Sequence, residues 1–89
     1  MKAKIVHLEF ESCGILYRTP ANLVGQVVEL LYLDDTGYDT SYPTGYERRY
    51  FEARLSDGTE VEVDAAFVRQ LNGKKLFWDD IKHLPRNFV

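Results

Sequence analysis

The chain is poor in cysteine, tryptophan and proline, with one Cys, one Trp and three Pro in 89 residues. A lone Cys13 excludes an intramolecular disulfide, so the fold must rest on its own core, and it fits a reducing, cytoplasmic setting. No apolar run approaches the roughly 20 residues of a membrane-spanning helix. Glu9 and Glu11 interrupt the apolar start of the chain before it reaches the length of a signal-peptide core. Positive charge is also short: 11 Lys and Arg stand against 14 Asp and Glu, for a net charge of −3. That balance excludes a strongly basic, nucleic-acid-coating polyelectrolyte. There is no internal repeat, low-complexity tract or Pro/Ser linker, so one domain spanning residues 1–89 is expected.

What the chain does contain is apolar and aromatic material, 45% hydrophobic and 13% aromatic, including six Tyr and five Phe. This is enough to build a small core of large rings. The charge is segregated along the chain. Residues 1–27 carry a net +1, residues 28–66 a net −7 and residues 67–89 a net +3, so a partner would meet an acidic middle and a mildly basic end.

Apolar periodicity predicts mostly strands. Val6, Leu8 and Phe10 alternate with Ile5, His7, Glu9 and Glu11, the pattern of one half-buried strand over Lys4–Glu11. Cys13-Gly14 permits a turn into a short strand over Ile15–Tyr17, and Thr19-Pro20-Ala21-Asn22 reads as a connection. Gln26–Leu33 is almost wholly apolar and predicts a central strand covered on both faces. Residues 34–46 then form a long polar loop. The segment from Arg49 to Val63 alternates on both sides of Asp57-Gly58 and predicts a hairpin. Asp64 is placed to cap a helical turn over residues 65–71 closed by Asn72-Gly73. In the competing arrangement, Asn72-Gly73 turns a second hairpin between Phe67–Leu71 and Lys74–Trp78. Phe77, Ile81, Leu84 and Phe88 recur at helical spacing, which predicts an amphipathic turn or two, broken by Pro85, docked on the domain as its C-terminal segment, residues 73–89.

The stretch from Gly25-Gln26-Val27-Val28-Glu29, through the long loop, to Tyr50–Val63 and Phe67-Val68-Arg69-Gln70-Leu71 resembles the SH3-like small barrels. In those KOW-, Tudor- and SH3-type modules a glycine-led strand, a long loop, a Gly-turn hairpin and a single helical turn recur in this order. The resemblance covers about half of the chain and implies a small, mostly antiparallel barrel of about five strands with one or two short helical turns. It further implies a binding scaffold that meets protein or nucleic acid through loops and an aromatic-lined face. Fold similarity alone does not fix function.

The richest recognition feature is the loop. Tyr38, Tyr42 and Tyr46 recur every fourth residue beside Pro43 and among Ser, Thr and Gly, and rigid amphipathic rings among small polar residues suit protein recognition. The leading expectation is therefore a non-catalytic protein-interaction module that captures its partner through Tyr38, Tyr42, Pro43 and Tyr46. A nucleic-acid alternative rests on Lys74, Lys75, Trp78, Lys82 and Arg86, cations interleaved with a stacking ring, with Phe77 and His83 nearby. In a third reading, Glu47, Glu52, Glu60, Glu62 and Asp64 present a negative face to a basic partner, as acidic inhibitors and nucleic-acid mimics do; Glu60, Glu62 and Asp64 share one face of their strand. Asp34, Asp35 and Asp39 do not follow a calcium-loop pattern, and Cys13, His7 and His83 lack zinc-ligand spacing. Cys13 with His7 or His83 is the one arrangement for covalent catalysis and has no thiolate-stabilising cluster around it. No cofactor, metal or enzymatic activity is expected, and the chain is expected to be a monomer or, through paired edge strands, a homodimer.

Overall fold

Alternating side chains and glycine turns set most of this structure, a computed structural model that describes residues 1–12, 14–34 and 50–87. Strand β1 (Lys2–Ile5) is followed by the hairpin β2 (Glu9–Ser12) and β3 (Ile15–Arg18). The long β4 (Val27–Asp34) precedes the hairpin β5 (Tyr50–Arg54) and β6 (Glu60–Asp64). A 3-10 turn (Ala65–Phe67), β7 (Val68–Arg69), one turn of helix α1 (Trp78–Ile81) and β8 (Arg86–Asn87) complete the chain.

The main sheet runs β6-β5-β4-β1-β7, antiparallel throughout, with β8 added parallel to β4. The fold is mainly β, as the sequence predicts. Its strands exceed the expected five because β2 and β3 pair only with each other and β8 lies outside the alternating pattern. Among the described residues the ladder is an open path: β6 and β7 stand at its two ends.

The predicted first strand is two strands. Ala3 and Ile5 are fully buried, whereas Val6, Leu8 and Phe10 are half-buried, so the face assigned from alternation is reversed at Ile5. The break falls at residues 6–8, where the chain leaves the main sheet and Thr19 replaces its ladder partners. Thr19 Oγ1 donates to the Val6 carbonyl at 2.8 Å and accepts from the Leu8 amide at 2.9 Å, and the Thr19 amide donates to the Leu8 carbonyl at 3.0 Å.

β4 is central, yet its apolar run does not reflect cover on both faces. Leu30 opposes Ala53 and Tyr32 opposes Glu52, so Leu31 is an extra residue in a β-bulge. A bulge shifts the alternation by one residue. Val28 and Leu30 face the core before it and Leu33 after it, each 2% exposed or less, while Val27 is 48% exposed. Two apolar half-patterns out of phase therefore read in sequence as one continuous run.

The Asp57-Gly58 hairpin forms as predicted. Gly58 takes φ +89°, Thr59 N donates to Asp57 Oδ1 at 2.8 Å, and the Gly58 amide donates to the Leu55 carbonyl at 3.0 Å. The predicted helical turn over 65–71 is a three-residue 3-10 turn, capped by Asp64 through an Ala66 N–H bond of 2.9 Å. Val68 and Arg69 then pair with β1, because Val68 is needed in the core, where it is 1% exposed. Asn72-Gly73 instead turns the chain back, with Gly73 at φ +84°, the Gln70 amide donating to the Lys74 carbonyl and Arg69 bridged to Lys75.

The C-terminal segment docks through Ile81 and Leu84, and Leu84 belongs to the core. Phe77, predicted on the same apolar face, is 62% exposed, since the helix starts only at Trp78 and is a single turn long. β8 pairs with β4 at Leu33 and Asp34. As β5 holds the other edge of β4 there, β8 continues the edge that β1 covers further back. Phe88 lies outside the described residues.

Candidate functional site

The β2–β3 hairpin is held against the sheet by a ring cluster. Phe10 stacks on Tyr17 with centroids 5.1 Å apart and tilts against Phe67 at 6.2 Å. Beside this cluster, between the hairpin and β5–β6, lies an open cleft of about 310 Å³. One wall is Leu16, Tyr17, Pro20 and Leu23 from the hairpin and the connection after it, and the other is Tyr50, Val63 and Phe67. Arg18, Glu62 and Asp64 form its polar rim. Arg18 is ion-paired with Glu9 across the hairpin. Leu16 is 58% exposed, as is its neighbour Ile15 at 55%, so the hairpin offers apolar surface at the mouth of the cleft.

The rim continues into an acidic outer face. Register places Glu29, Arg54 and Glu60 in one cross-strand row, Tyr32, Glu52 and Glu62 in the next, and Asp34, Tyr50 and Asp64 in the third. Arg54 pairs with Glu60 at 3.3 Å. Glu52 and Glu62 oppose each other directly, an unfavourable like-charge arrangement. Burial chiefly, and then Glu60, Glu62 and Asp34, push the Glu52 carboxyl above its ordinary value. Burial and the same carboxylates, Glu52 first among them, likewise raise the Tyr32 hydroxyl. Of the three carboxylates expected on one strand face, Glu60 and Glu62 are exposed, whereas Asp64 is 7% exposed and serves as the cap described above. The negative face is thus displaced toward Glu52, Glu60 and Glu62.

Tyr38, Tyr42, Pro43 and Tyr46, with Asp35, Asp39 and Glu47, lie outside the described residues, as does Cys13. The segment that carries them leaves β4 at Asp34 and re-enters β5 at Tyr50, a cleft residue. The basic C-terminal set is spread along the chain over the 70–75 turn, the end of α1 and β8. Lys74 and Lys75 are exposed at the 70–75 turn, Lys82 is paired with Asp79 at 3.3 Å, and Arg86 sits in β8 beside Leu33. Trp78 opens α1. His7 and His83 are exposed.

Sequence reasoning missed Leu16, Tyr17, Pro20, Tyr50 and Phe67 as a single cleft. The available signal was Leu16 beside Tyr17 in the short strand Ile15–Tyr17; nothing linear shows that this strand lines one cleft with Tyr50, Val63 and Phe67. Among the described residues no helix is long and apolar enough to cross a membrane. The chain matches no known protein family, no curated protein and no solved structure.

Proposed function

We propose that this chain is a non-catalytic protein-interaction module of the SH3-like kind, which binds an extended, positively charged segment of a partner protein in the cleft between the β2–β3 hairpin and β5–β6. The carrying observation is the cleft itself: apolar walls, aromatic at Tyr17, Tyr50 and Phe67, with the exposed Glu62 on the rim. Apolar walls offer burial to an aliphatic side chain, and the acidic rows next to the rim favour Lys or Arg beside it. The SH3-like assignment is supported by the order of elements: a hairpin excursion after β1, a long segment between β4 and β5, a Gly-turn hairpin, and a 3-10 turn leading into a strand that pairs with β1. Tyr38, Tyr42, Pro43 and Tyr46 remain proposed contact residues on the strength of the sequence pattern alone, rigid rings among small polar residues.

The test is selection of linear peptides on the purified protein, followed by affinity measurement on variants. Enriched peptides are expected to place Arg or Lys next to an apolar residue, and both Leu16→Ser and Tyr42→Ala are expected to weaken them about tenfold at unchanged Tm. Absence of enrichment, or peptides indifferent to both substitutions, overturns the reading. A large fall in Tm for Tyr42→Ala shows that ring to be structural cover instead of contact surface.

A further inference from the structure

We propose that a second surface, the cationic row Lys4, Arg69 and Lys75 on the outer side of β1 and β7, binds the phosphate backbone of single-stranded nucleic acid. The row is made by register. Lys4 opposes Arg69, and Arg69 is bridged to Lys75, so three cations from three separate stretches of chain stand side by side. Directly opposed residues have Cβ atoms about 4.5–5.5 Å apart. All three project away from the core, since Ile5 and Val68, the alternate residues, are buried.

No counter-charge accounts for the row. Among the described residues Arg18, Arg54 and Lys82 each have a carboxylate partner, whereas no carboxylate comes within ion-pair distance of Lys4, Arg69 or Lys75. Like charges in direct opposition weaken a sheet, so the row costs stability with no carboxylate among the described residues to offset it. Arg69 is also pre-positioned. Its Nη1 donates to the Ala66 carbonyl at 2.7 Å and to the Val68 carbonyl at 3.0 Å, which fixes the guanidinium and leaves its other N–H groups for an external acceptor.

Two neighbours extend the surface. The Lys4 ammonium reaches over the 70–74 turn, where a Cβ on Gly73 would stand 3.7 Å from Lys4 Nζ, and that turn carries the exposed Lys74. Phe77, two residues beyond Lys75, leaves 62% of its surface open and supplies the flat apolar surface on which an unpaired base stacks. The acidic rows occupy β4–β6, the other half of the same outer face, beginning at Glu29, which opposes Lys2. They repel phosphate over a Debye length of about 8 Å and confine a strand of nucleic acid to the β1–β7 edge.

Fluorescence anisotropy with a labelled oligothymidine of about 20 nucleotides, long enough for one site, tests this with the intact chain. Binding is expected in dilute buffer, with log affinity falling against log salt at a slope of about −2, or about −0.7 for each of three phosphates. Lys4→Gln combined with Lys75→Gln should weaken binding at least about tenfold and reduce the slope to about −0.7. Lys82→Gln should leave both unchanged, and the double variant should melt no lower than the parent because repulsion is relieved. Lack of binding in dilute buffer, or a double variant that binds like the parent, overturns the proposal. Equal binding of a poly-glutamate peptide also overturns it and assigns the row to an acidic protein segment.

Discussion

Thr19 and Leu8 clasp each other through the backbone and a side chain: the Leu8 amide donates to Thr19 Oγ1 at 2.9 Å and the Thr19 amide to the Leu8 carbonyl at 3.0 Å. Thr19 is 2% exposed, so water cannot replace these bonds. This clasp closes the root of the β2–β3 hairpin, next to Arg18 and Pro20 of the cleft. Thr19→Val keeps the shape but removes the acceptor of the part-buried Leu8 amide, a loss of about 1–3 kcal/mol. In a domain of this size that is a fall in Tm of about 4–8 °C per kcal/mol. Thr19→Ser is expected to retain most of the parent stability, and thermal melts of the two variants side by side check the role of the hydroxyl.

Glu52 gives a pH-dependent prediction. Its carboxyl titrates above its ordinary range in the folded protein, so the native state holds the proton more tightly than the unfolded chain does. Stability then falls as pH rises through the interval between the unfolded and the folded values, and the penalty persists above it. Glu52→Gln removes the penalty. It is expected to raise Tm by about 2–5 °C at neutral pH and to change little below the ordinary Glu range. Melting curves from pH 3 to 8 follow both limits; a variant less stable than the parent at pH 7 contradicts the assignment.

Asp57 has the opposite sign. The Thr59 backbone amide, donating to its carboxylate, holds it below the usual carboxylate range. Its stabilisation is complete above the unfolded-chain value and is lost as pH falls through the lower, folded value. Asp57→Ala is therefore expected to lower Tm at pH 7 and to converge on the parent in strong acid. Gly58→Ala, forced to φ +89°, should destabilise at every pH, and that difference in pH profile separates the turn's charge from its backbone geometry.

The C-terminal segment is tested at Leu84, which is 8% exposed and joins the same core as Phe51 and Leu33. Leu84→Ala is expected to cost about 2–3 kcal/mol, toward the low end for a buried Leu because the site is at the rim of the core. Amide exchange should then rise at Leu33, whose N–H donates to the Pro85 carbonyl, and an unchanged Leu33 rate would show that β8 holds independently of that side chain.

The hairpin at Asp57-Gly58, the Asp64 cap and the central place of β4 were legible in the sequence because each depends on neighbours within a few residues or on a long apolar run. The phase reversal at Leu31 was not, since a bulge is decided by what the facing strand offers: Ala53 and Glu52 on β5, not the residues beside Leu31. The short Val68–Arg69 strand follows the competing hairpin arrangement over the helical turn across 65–71, for a related reason. Local capping favours a helical turn after Asp64, but the edge of β1 was free to pair, and burying Val68 outweighed continuing the turn.

The amino-acid order alone determined that this is a mainly β chain with one sharp hairpin, charge of opposite sign in its middle and at its end, and no disulfide within it. Only the tertiary structure decided which side chains became neighbours. The cleft joins Leu16 and Tyr17 to Tyr50 and Phe67, and the cationic row joins Lys4 to Arg69 and Lys75. Periodicity fixes the face a side chain takes on its own strand, whereas strand order and register fix what stands beside it, and those follow from how the whole core is buried.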